Sequence, residues 1–258
     1  MLAGVLGFPV AHSRSPQMHN AAFEALGLDW RYVRLPVPPE LFEETVRALP
    51  GSDYGGANVT IPHKRAALAL ADERSDAAAA IGAANTLTFA GGSIRAENTD
   101  AGGLLDALGD SPSGKRALVL GAGGAGRAAA YALRDAGGDV AVWNRTPARA
   151  RELAADLGVA AAENSDPAGF DLLVNTTSVG LDGRGGLDDL GLAGTAAPET
   201  VVDLVYGASE TPVCAWAREG GARVVDGVEV LVRQGALSFR IWTGVEPPLD
   251  VMRAAARR

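Results

Sequence analysis

The sequence has a single cysteine, Cys214, and it has no apolar run of the roughly 18 residues that a membrane-spanning helix needs. A lone cysteine excludes an intrachain disulfide and a cysteine-rich metal site. Residues 1–10 have neither the basic start nor the long apolar stretch of a secretory signal. We therefore expect a cytoplasmic protein that does not associate with a membrane.

Positive charge and histidine are also scarce. The 23 lysines and arginines stand against 31 aspartates and glutamates, which gives a net charge of -8, and no segment forms a basic block. A face that binds a nucleic-acid backbone is therefore not expected. The three histidines, His12, His19 and His63, lack the spacing and the neighbouring ligands of a zinc site, so we predict no metal. We interpret His19 as a capping or core residue.

The remaining composition is typical of a folded protein. Hydrophobic residues make up 47 % of the 258 residues and charged residues 21 %, and the length exceeds the usual domain size of about 100–150 residues. The first part of the chain alternates short apolar strands with helical patterns, which indicates an α/β fold. Strands are predicted over residues 2–6, 31–37, 56–60 and 86–89, with helices over 17–26, 41–48 and 63–71.

The second part of the chain predicts a parallel sheet covered by helices. Its strands are expected over residues 116–120, 139–143, 172–175 and 201–205, with helices to about 136 and over 147–157. The polar, turn-forming residues 111–114 are the expected boundary between the two parts, after a connecting helix over 101–108. Helices are also predicted over 228–243 and beyond Pro247-Pro248.

A glycine-rich turn lies between the first strand and the first helix of that second part. Gly121, Gly123 and Gly126 form a G-x-G-x-x-G pattern there. In this setting the glycines permit a tight turn, a close approach to a pyrophosphate and close packing of helix on strand. The helix start adds N–H groups and partial positive charge. The pattern therefore predicts a dinucleotide-binding loop.

The end of the next strand indicates which dinucleotide. A site for NAD needs an acidic residue there, about 20 residues after the glycines, to hold the ribose hydroxyl. The sequence instead has Asn144, Arg145 and Thr146, followed by Arg149 in the first helical turn. Two guanidinium groups and a capping hydroxyl suit a 2′-phosphate, so we predict NADP. Solvated arginines at a helix start are the simpler alternative, but positive charge opposes the helix dipole at that end.

Polar side chains follow several strands of the first part. Ser13 and Ser15 stand between a strand end and a helix start, where hydroxyls suit a polyol or a carboxylate. Lys64 follows the third strand and is one of only two lysines in the chain. Because arginine supplies the other positive charges, a lysine kept at this turn indicates a need for its titratable amine. Asp100 near Lys64 would hold the ammonium group and tune proton transfer.

Nine segments together resemble the shikimate dehydrogenase family over essentially the whole chain. The matching segments are Gly7-x-Pro-x-x-His-Ser-x-Ser-Pro-x-x-His-Asn20, Asn58-Val-Thr-x-Pro-x-Lys64, Gly82-Ala-x-Asn-Thr86, Asn98-Thr-Asp100, Gly121-Ala-Gly-Gly-Ala-Gly-Arg127, Asn144-Arg-Thr146, Asn175-x-Thr-Ser-x-Gly180, Asp203-Leu-Val-Tyr206 and Gly227 with Gln234-Gly-Ala236. Each is modestly specific, but all nine in order are very specific.

The resemblance implies an NADP-dependent interconversion of 3-dehydroshikimate and shikimate, in which Lys64 and Asp100 are the catalytic pair. It implies that the substrate is bound by Ser13, Ser15, Asn58, Thr60, Asn85, Asp100, Tyr206 and Gln234. The implied cofactor residues are Asp76, Gly121, Ala122, Gly123, Gly124, Ala125, Gly126, Asn144, Arg145, Thr146, Arg149, Thr177, Ser178, Leu204 and Gly227. Leu204 and Gly227 are expected near the nicotinamide.

The implied organisation is a substrate-binding and catalytic domain over residues 1–100 and 228–258, and an NADP-binding Rossmann domain over 101–227. Because Gln234 must reach the substrate, the C-terminal helices are expected to pack back onto the first domain. Three residues depart from the family pattern: Arg14 between the two serines, Glu97 before Asn98, and Val230 after the Gly227 turn. None removes a catalytic group. The partner is a small-molecule substrate, and the protein is expected to be a monomer or a homodimer.

Three alternatives stay open at this point. A quinate or aminoshikimate dehydrogenase would share the fold and the catalytic pair. An enzyme like glutamyl-tRNA reductase would share the glycine-rich loop, but it needs a nucleophilic cysteine in its first domain, and Cys214 is in the wrong place. A nonenzymatic NADP-binding regulator belongs to a different class and would bind the cofactor without turnover.

Overall fold

A computed structural model describes residues 1–207 and 209–258, and the chain divides into two compact units. Unit 1 comprises residues 1–103 and 231–258, and unit 2 comprises residues 104–230.

The strands are β1 (Leu2–Gly7), β2 (Arg31–Pro36), β3 (Tyr54–Val59), β4 (Glu73–Arg74), β5 (Thr86–Ala90), β6 (Ser93–Glu97), β7 (Arg116–Leu120), β8 (Asp139–Trp143), β9 (Ala160–Ala161), β10 (Leu172–Asn175), β11 (Thr200–Asp203) and β12 (Arg223–Val225). The α-helices are α1 (Ser15–Ala25), α2 (Phe42–Ala48), α3 (Lys64–Leu70), α4 (Asp76–Ile81), α5 (Thr99–Leu108), α6 (Gly124–Asp135), α7 (Pro147–Leu157), α8 (Pro212–Glu219), α9 (Gly227–Thr243) and α10 (Leu249–Ala256). Short 3₁₀ turns lie at Pro39–Leu41, Leu49–Gly51, Leu181–Gly183 and Asp188–Leu190.

Unit 1 contains a mixed sheet in the order β2-β1-β3-β5-β6-β4. Strands β1, β2 and β3 are parallel, whereas β5 is antiparallel to both β3 and β6. A mainly aliphatic core, which also includes Phe42 and Phe89, lies between the sheet and α2, α3 and α4. A second core is aromatic: Phe23, Tyr32, Phe239 and Trp242 surround the buried ring of His19.

Unit 2 contains a fully parallel sheet in the order β12-β11-β10-β7-β8-β9. Every residue of β10 and β11 is buried, as expected for strands covered by helices on both faces. Leu133, Leu153 and Val174 belong to the core on one face, and Leu173 and Val213 to the core on the other. The predicted α/β fold with a parallel, helix-covered sheet is therefore confirmed.

Two further fold predictions are confirmed. The end of α9 and all of α10 belong to unit 1, where α10 packs against α1. His19 is fully buried, which makes it a core residue. None of the described helices combines the length and the apolar character needed to cross a bilayer.

Candidate active site

A lysine and an aspartate meet where two helices of unit 1 begin. Lys64 is the first residue of α3 and Asp100 is the second residue of α5. The Lys64 Nζ atom lies 2.5 Å from Asp100 Oδ2, and the two side chains are only 13 % and 16 % exposed. The carboxylate neutralises a positive charge that the start of α3 by itself would disfavour. The arrangement places a proton donor and a fixed carboxylate at one point.

The second carboxylate oxygen of Asp100 is held by an amide. Asn85 Nδ2 donates to Asp100 Oδ1 over 2.8 Å, and Asn85 Oδ1 accepts from the backbone N–H of Thr99 over 2.7 Å. Because a backbone N–H can only donate, the second bond fixes which end of the amide faces Asp100. Gln234 from α9 adds its Oε1, 3.2 Å from the same Asn85 nitrogen. Lys64, Asp100, Asn85 and Gln234 therefore form one connected cluster.

Asn58, at the end of β3, lies beneath this cluster. Its Nδ2 donates to the carbonyl oxygen of Asn85 over 3.2 Å and to Ser238 Oγ over 2.9 Å. Its Oδ1 accepts from the hydroxyl of Tyr32 over 2.8 Å. The amide is buried and most of its hydrogen-bonding capacity is used within unit 1.

The predicted hydroxyl residues lie at the neighbouring strand ends. The loop after β1 and the loop after β3 are joined by a bond from the N–H of Phe8 to the carbonyl of Ile61. Ser13 Oγ accepts from the N–H of Ser15, and the Ser13 carbonyl accepts from the Arg34 guanidinium at 2.6 and 3.1 Å. Thr60 follows β3 directly and is partly buried. The other member of the predicted substrate set, Tyr206, lies in unit 2, whereas the remaining seven residues belong to unit 1.

The three residues that depart from the family pattern each make an ordinary contact within the fold. Arg14 Nη1 donates to the carbonyl of Ala256 in α10, 2.9 Å away. Glu97 pairs with Arg95 at the surface, and Val230 is buried in the core of unit 2.

The glycine-rich turn of unit 2 has the shape that a dinucleotide needs. Gly121 has a φ of +108°, and a Cβ atom there would lie 2.7 Å from Thr176 Oγ1. A Cβ atom on Gly126 would lie 2.1 Å from the Gly121 carbonyl oxygen, so only glycine permits this packing of α6 on β7. Gly123 has open space around its Cβ position, and it caps α6 without a side-chain bond to the first-turn N–H groups. The open space and the free helix start fit a pyrophosphate.

The end of β8 is polar and basic. Asn144 Oδ1 accepts from the N–H of Ala122, which joins this strand end to the glycine-rich turn. Arg145 and Arg149 are exposed, and neither guanidinium has an ion-pair partner among the described residues. The prediction of a capping hydroxyl at Thr146 is wrong: its side chain makes no cap bond, and its carbonyl oxygen instead accepts from the Arg149 N–H.

A buried carboxyl group organises the next two strand ends of unit 2. Asp203 Oδ1 accepts from Asn175 Nδ2 over 2.8 Å, and Asp203 Oδ2 accepts from the Thr211 hydroxyl over 2.5 Å. Burial raises the pKa of Asp203, against the lowering effect of its hydrogen bonds. Asn175 in turn accepts from the N–H and the hydroxyl of Thr177. The sequence placed Asp203 in a family motif, but its role as a buried carboxyl group that holds Asn175 and Thr211 was not predicted.

The other predicted cofactor residues are placed as follows. Ser178 is exposed, and Leu204 is partly buried directly after β11. A Cβ atom on Gly227 would lie 2.5 Å from the Val205 carbonyl oxygen and 2.7 Å from that of Leu204, so the start of α9 packs closely on this backbone. Asp76 is exposed at the start of α4, in unit 1. Among the described residues, no group of three or more histidine, cysteine, aspartate or glutamate side chains forms a metal site.

The parallel sheet with its glycine-rich turn and the buried acid–base pair define a class: a two-unit α/β oxidoreductase that uses a dinucleotide. Family models match three parts of the chain. Residues 5–87 match the shikimate dehydrogenase substrate binding domain, residues 104–169 match shikimate / quinate 5-dehydrogenase, and residues 227–257 match the shikimate 5′-dehydrogenase C-terminal domain. The chain belongs to the shikimate dehydrogenase family.

Individual relatives are similar over nearly their whole length. A shikimate dehydrogenase (NADP(+)) of Methanothermobacter thermautotrophicus is 43 % identical over 273 residues, covering 100 % of this chain and 96 % of the relative. That of Acidiphilium cryptum is 46 % identical over 256 residues, covering 96 % and 92 %. The crystal structure of the Thermus thermophilus shikimate 5-dehydrogenase in complex with NADP(H) and shikimate has a TM-score of 0.88 and 43 % identity, covering 100 % of this chain and 99 % of that one.

Proposed function

We propose that the protein catalyses the reversible, NADP-dependent reduction of 3-dehydroshikimate to shikimate. The observation that carries the proposal is the ion pair of Lys64 and Asp100, 2.5 Å apart and mostly buried, in a chain whose relatives are named shikimate dehydrogenase (NADP(+)). The reaction converts a carbonyl to a CH–OH group, which requires one hydride and one proton.

Lys64 handles the proton. During reduction its ammonium group donates a proton to the substrate carbonyl oxygen, and the neutral amine then takes a proton from solvent. In the reverse direction the amine accepts the hydroxyl proton. When bound, NADPH supplies the hydride to the carbonyl carbon. Asp100 holds the ammonium group through Oδ2 and presents its carboxylate to the same substrate hydroxyl.

The polar residues at the strand ends of unit 1 hold the substrate. Ser13 and Ser15 offer hydroxyls to the carboxylate or the ring hydroxyls of the substrate. Thr60, which lies between β3 and α3 four residues before Lys64, offers another. Asn85 and Gln234, already bonded to each other, orient the ring hydroxyls near Asp100. Asn58 and Tyr206 complete the proposed set.

The cofactor residues we propose lie mainly in unit 2. Residues 121–126 bind the pyrophosphate, since Gly123 is open and the start of α6 has no side-chain cap. Arg145 and Arg149, with Asn144 and Thr146, bind the 2′-phosphate. Leu204 and Gly227 approach the nicotinamide, and Thr177, Ser178 and Asp76 complete the proposed set of cofactor residues.

We further infer a cytoplasmic enzyme without nucleic-acid partners, present as a monomer or homodimer. The lone buried cysteine supports the cytoplasmic location, and the net charge of -8 without a basic block supports the absence of a nucleic-acid partner.

The decisive experiment follows NADPH absorbance after addition of 3-dehydroshikimate, and the reverse reaction with shikimate. We expect turnover in both directions and a higher kcat/KM for shikimate than for quinate. Cofactor binding without any turnover would favour a regulator, and an equal or higher kcat/KM with quinate would favour a quinate/shikimate dehydrogenase.

The two lysines provide a matched pair for the catalytic step. Lys64→Ala should lower kcat by roughly 10²–10⁴, the usual effect of losing a positioned acid or base. Lys115→Ala removes the same charge from an exposed site, where the amine pairs with Glu199 at 3.4 Å, and should leave kcat unchanged. If Lys64→Ala loses substrate affinity but keeps its kcat, Lys64 binds the substrate and does not transfer the proton.

A further inference from the structure

Three hydroxyl groups form a buried cluster beneath the catalytic pair. The oxygen atoms of Thr86 and Thr99 are 3.1 Å apart, those of Thr86 and Ser238 2.9 Å, and those of Thr99 and Ser238 3.0 Å. The residues are 0 %, 4 % and 0 % exposed. They come from β5, α5 and α9, so this hydroxyl cluster joins three elements that are distant in the sequence.

The hydroxyl cluster contacts both amides of the proposed site. Asn85 Nδ2 donates to Thr99 Oγ1 over 2.9 Å, and the same nitrogen donates to Asp100 Oδ1. Asn58 Nδ2 donates to Ser238 Oγ over 2.9 Å. The oxygens of Thr86 and Thr99 are therefore two hydrogen-bonded steps from the carboxylate that holds Lys64, and the oxygen of Ser238 is three steps away.

Ser238 is the residue that brings α9 into this network. Its hydroxyl has one proton and two lone pairs, and it has four polar neighbours: Asn58 Nδ2, the two threonine oxygens and the Gln234 carbonyl at 3.2 Å. It follows Gln234 by one turn of α9. A buried polar group in such a network is costly to leave without partners.

We propose that Ser238 is a positioning residue for the reaction, because its hydroxyl fixes Asn58 and, through Thr99 and Asn85, the direction in which Asp100 faces Lys64. The inference rests on the proposed function. Loss of the hydroxyl leaves Lys64 and Asp100 in place but lets the carboxylate turn, which slows proton transfer and leaves NADP binding unchanged.

The test compares two variants on one helix. Ser238→Ala should lower kcat about tenfold, which corresponds to about 1.4 kcal/mol in the barrier, with the KM for NADP within twofold of wild type. Thr243→Ala is the control, since its hydroxyl makes the same type of bond to the carbonyl one turn back, to Phe239 over 2.8 Å, away from the site. It should keep wild-type kcat. Equal kcat values for Ser238→Ala and wild type, or equal losses in both variants, overturn the proposal.

A second pair keeps the proposal testable if Ser238→Ala does not fold. Thr86→Ser keeps a hydroxyl in the cluster and should retain kcat within about twofold, whereas Thr86→Val keeps the shape but removes the hydroxyl and should lose kcat about tenfold. Equal losses in the two variants overturn the positioning role. Wild-type turnover of shikimate is measured first, because its absence rejects the proposed function before any variant is compared.

Discussion

At the scale of single residues, Arg145 and Arg149 stand out because their positive charges lie at the start of α7. The partial charge of a helix start is positive, so two exposed arginines there are unfavourable without an anion. Neither is neutralised by a carboxylate among the described residues. A bound 2′-phosphate provides the missing negative charge, and this is the physical basis for expecting NADP over NAD.

Arg145→Ala should raise the KM for NADP and leave the KM for NAD nearly unchanged. A hydrogen bond to a charged group contributes about 1.5–3 kcal/mol, so the loss corresponds to roughly 10- to 150-fold in NADP affinity. Arg151→Ala, at an exposed position within α7, is the matched control. Measurement of kcat/KM with both cofactors checks the prediction, and an unaltered ratio in Arg145→Ala would make this arginine a solvated surface residue.

His19 shows a different kind of residue effect, on stability. Its ring is fully buried and stacks on Tyr32 with 4.4 Å between centroids, and neither ring nitrogen has a hydrogen-bond partner among the described residues. Burial lowers the pKa of His19 from 6.5 to about 3. The folded protein therefore holds the neutral ring at pH values where the unfolded chain binds a proton.

The sign of the pH effect follows from that shift. Because the folded pKa is the lower one, the contribution of His19 to stability is complete above about pH 6.5 and is lost as the pH falls toward 3. Between pH 7 and pH 5 the unfolding free energy of the wild type should therefore fall by about 2 kcal/mol more than that of His19→Phe. Urea unfolding of both proteins at the two pH values measures it. Identical pH dependence in wild type and variant would mean that the ring is protonated in the folded state.

At this scale the proposed catalytic pair of Lys64 and Asp100 could be predicted from sequence, but its surroundings could not. Lys64 was identifiable because lysine is rare in the chain and follows a strand end. Ser238 was not, since a serine within a helix has no distinctive pattern, and its partners Asn58 and Thr86 are 180 and 152 residues away. Asp203 was missed as a structural group for the same reason: its burial and its bond to Thr211 arise only in the folded unit.

At the scale of elements, the position of α9 depends on a close approach to α5. A Cβ atom on Gly103 would lie 2.5–2.6 Å from the backbone and Cβ of Gln234, and one on Gly102 would lie 2.9 Å from the end of the Leu237 side chain. A backbone cannot move aside as a leucine methyl can. The glycine at 103 thus allows α9 to bring Gln234 and Ser238 to the site.

Adjacent substitutions test this packing. Alanine is favoured over glycine within a helix by about 1 kcal/mol, so Gly102→Ala should be tolerated, with a Tm near or above that of wild type. Gly103→Ala should lower the Tm by several degrees, since a loss of about 1 kcal/mol shifts the Tm by roughly 2–4 °C in a protein of this size. The same substitution should lower kcat/KM for shikimate. Thermal unfolding and initial rates measure both effects; equal Tm values for the two variants would contradict a tight α5–α9 contact.

Several elements escaped prediction although some carried a recognisable signal. Gly91 and Gly92 have φ values of +58° and +83° and connect β5 to β6 in a hairpin; a Gly-Gly pair between apolar runs is a known sign of such a turn. Thr211 and Pro212 begin α8 with a side-chain cap. Strand β4 has two exposed residues and no pattern. The order of the mixed sheet in unit 1 depends on tertiary pairing that no local pattern contains.

At the scale of the whole molecule, the two units differ in how the chain builds them: unit 2 is one continuous segment, whereas unit 1 is made of two segments that are far apart in the chain. Unit 1 joins residues 1–103 to residues 231–258, and helices α5 and α9 each contribute residues to both units. The sequence predicted the parallel sheet of unit 2 from its regular alternation of strands and helices. The return of the C-terminal helices to unit 1 was expected only because the family resemblance placed Gln234 at the substrate.

Cys214 provides a reporter for the opening of unit 2 within the intact protein. It is buried on α8, and burial raises the pKa of its thiol to about 11, with the Thr211 bond opposing the shift and Asp203 and Asp226 adding to it. At pH 8 only about one folded molecule in a thousand then carries the reactive thiolate. A thiol reagent should therefore label native protein through transient opening, while denatured protein should take up one equivalent quickly.

NADP should slow this labelling, because a ligand that binds only the folded unit stabilises it by RT ln(1 + [L]/Kd). At a concentration of 100 Kd the stabilisation is about 2.7 kcal/mol, which corresponds to roughly 100-fold slower labelling when opening precedes reaction. NAD at the same concentration is the matched control and should protect less, since it lacks the phosphate that Arg145 and Arg149 are proposed to bind. If native protein is labelled as fast as denatured protein, Cys214 is accessible in the folded state. If NAD and NADP protect equally, the 2′-phosphate contributes nothing to the binding that stabilises unit 2.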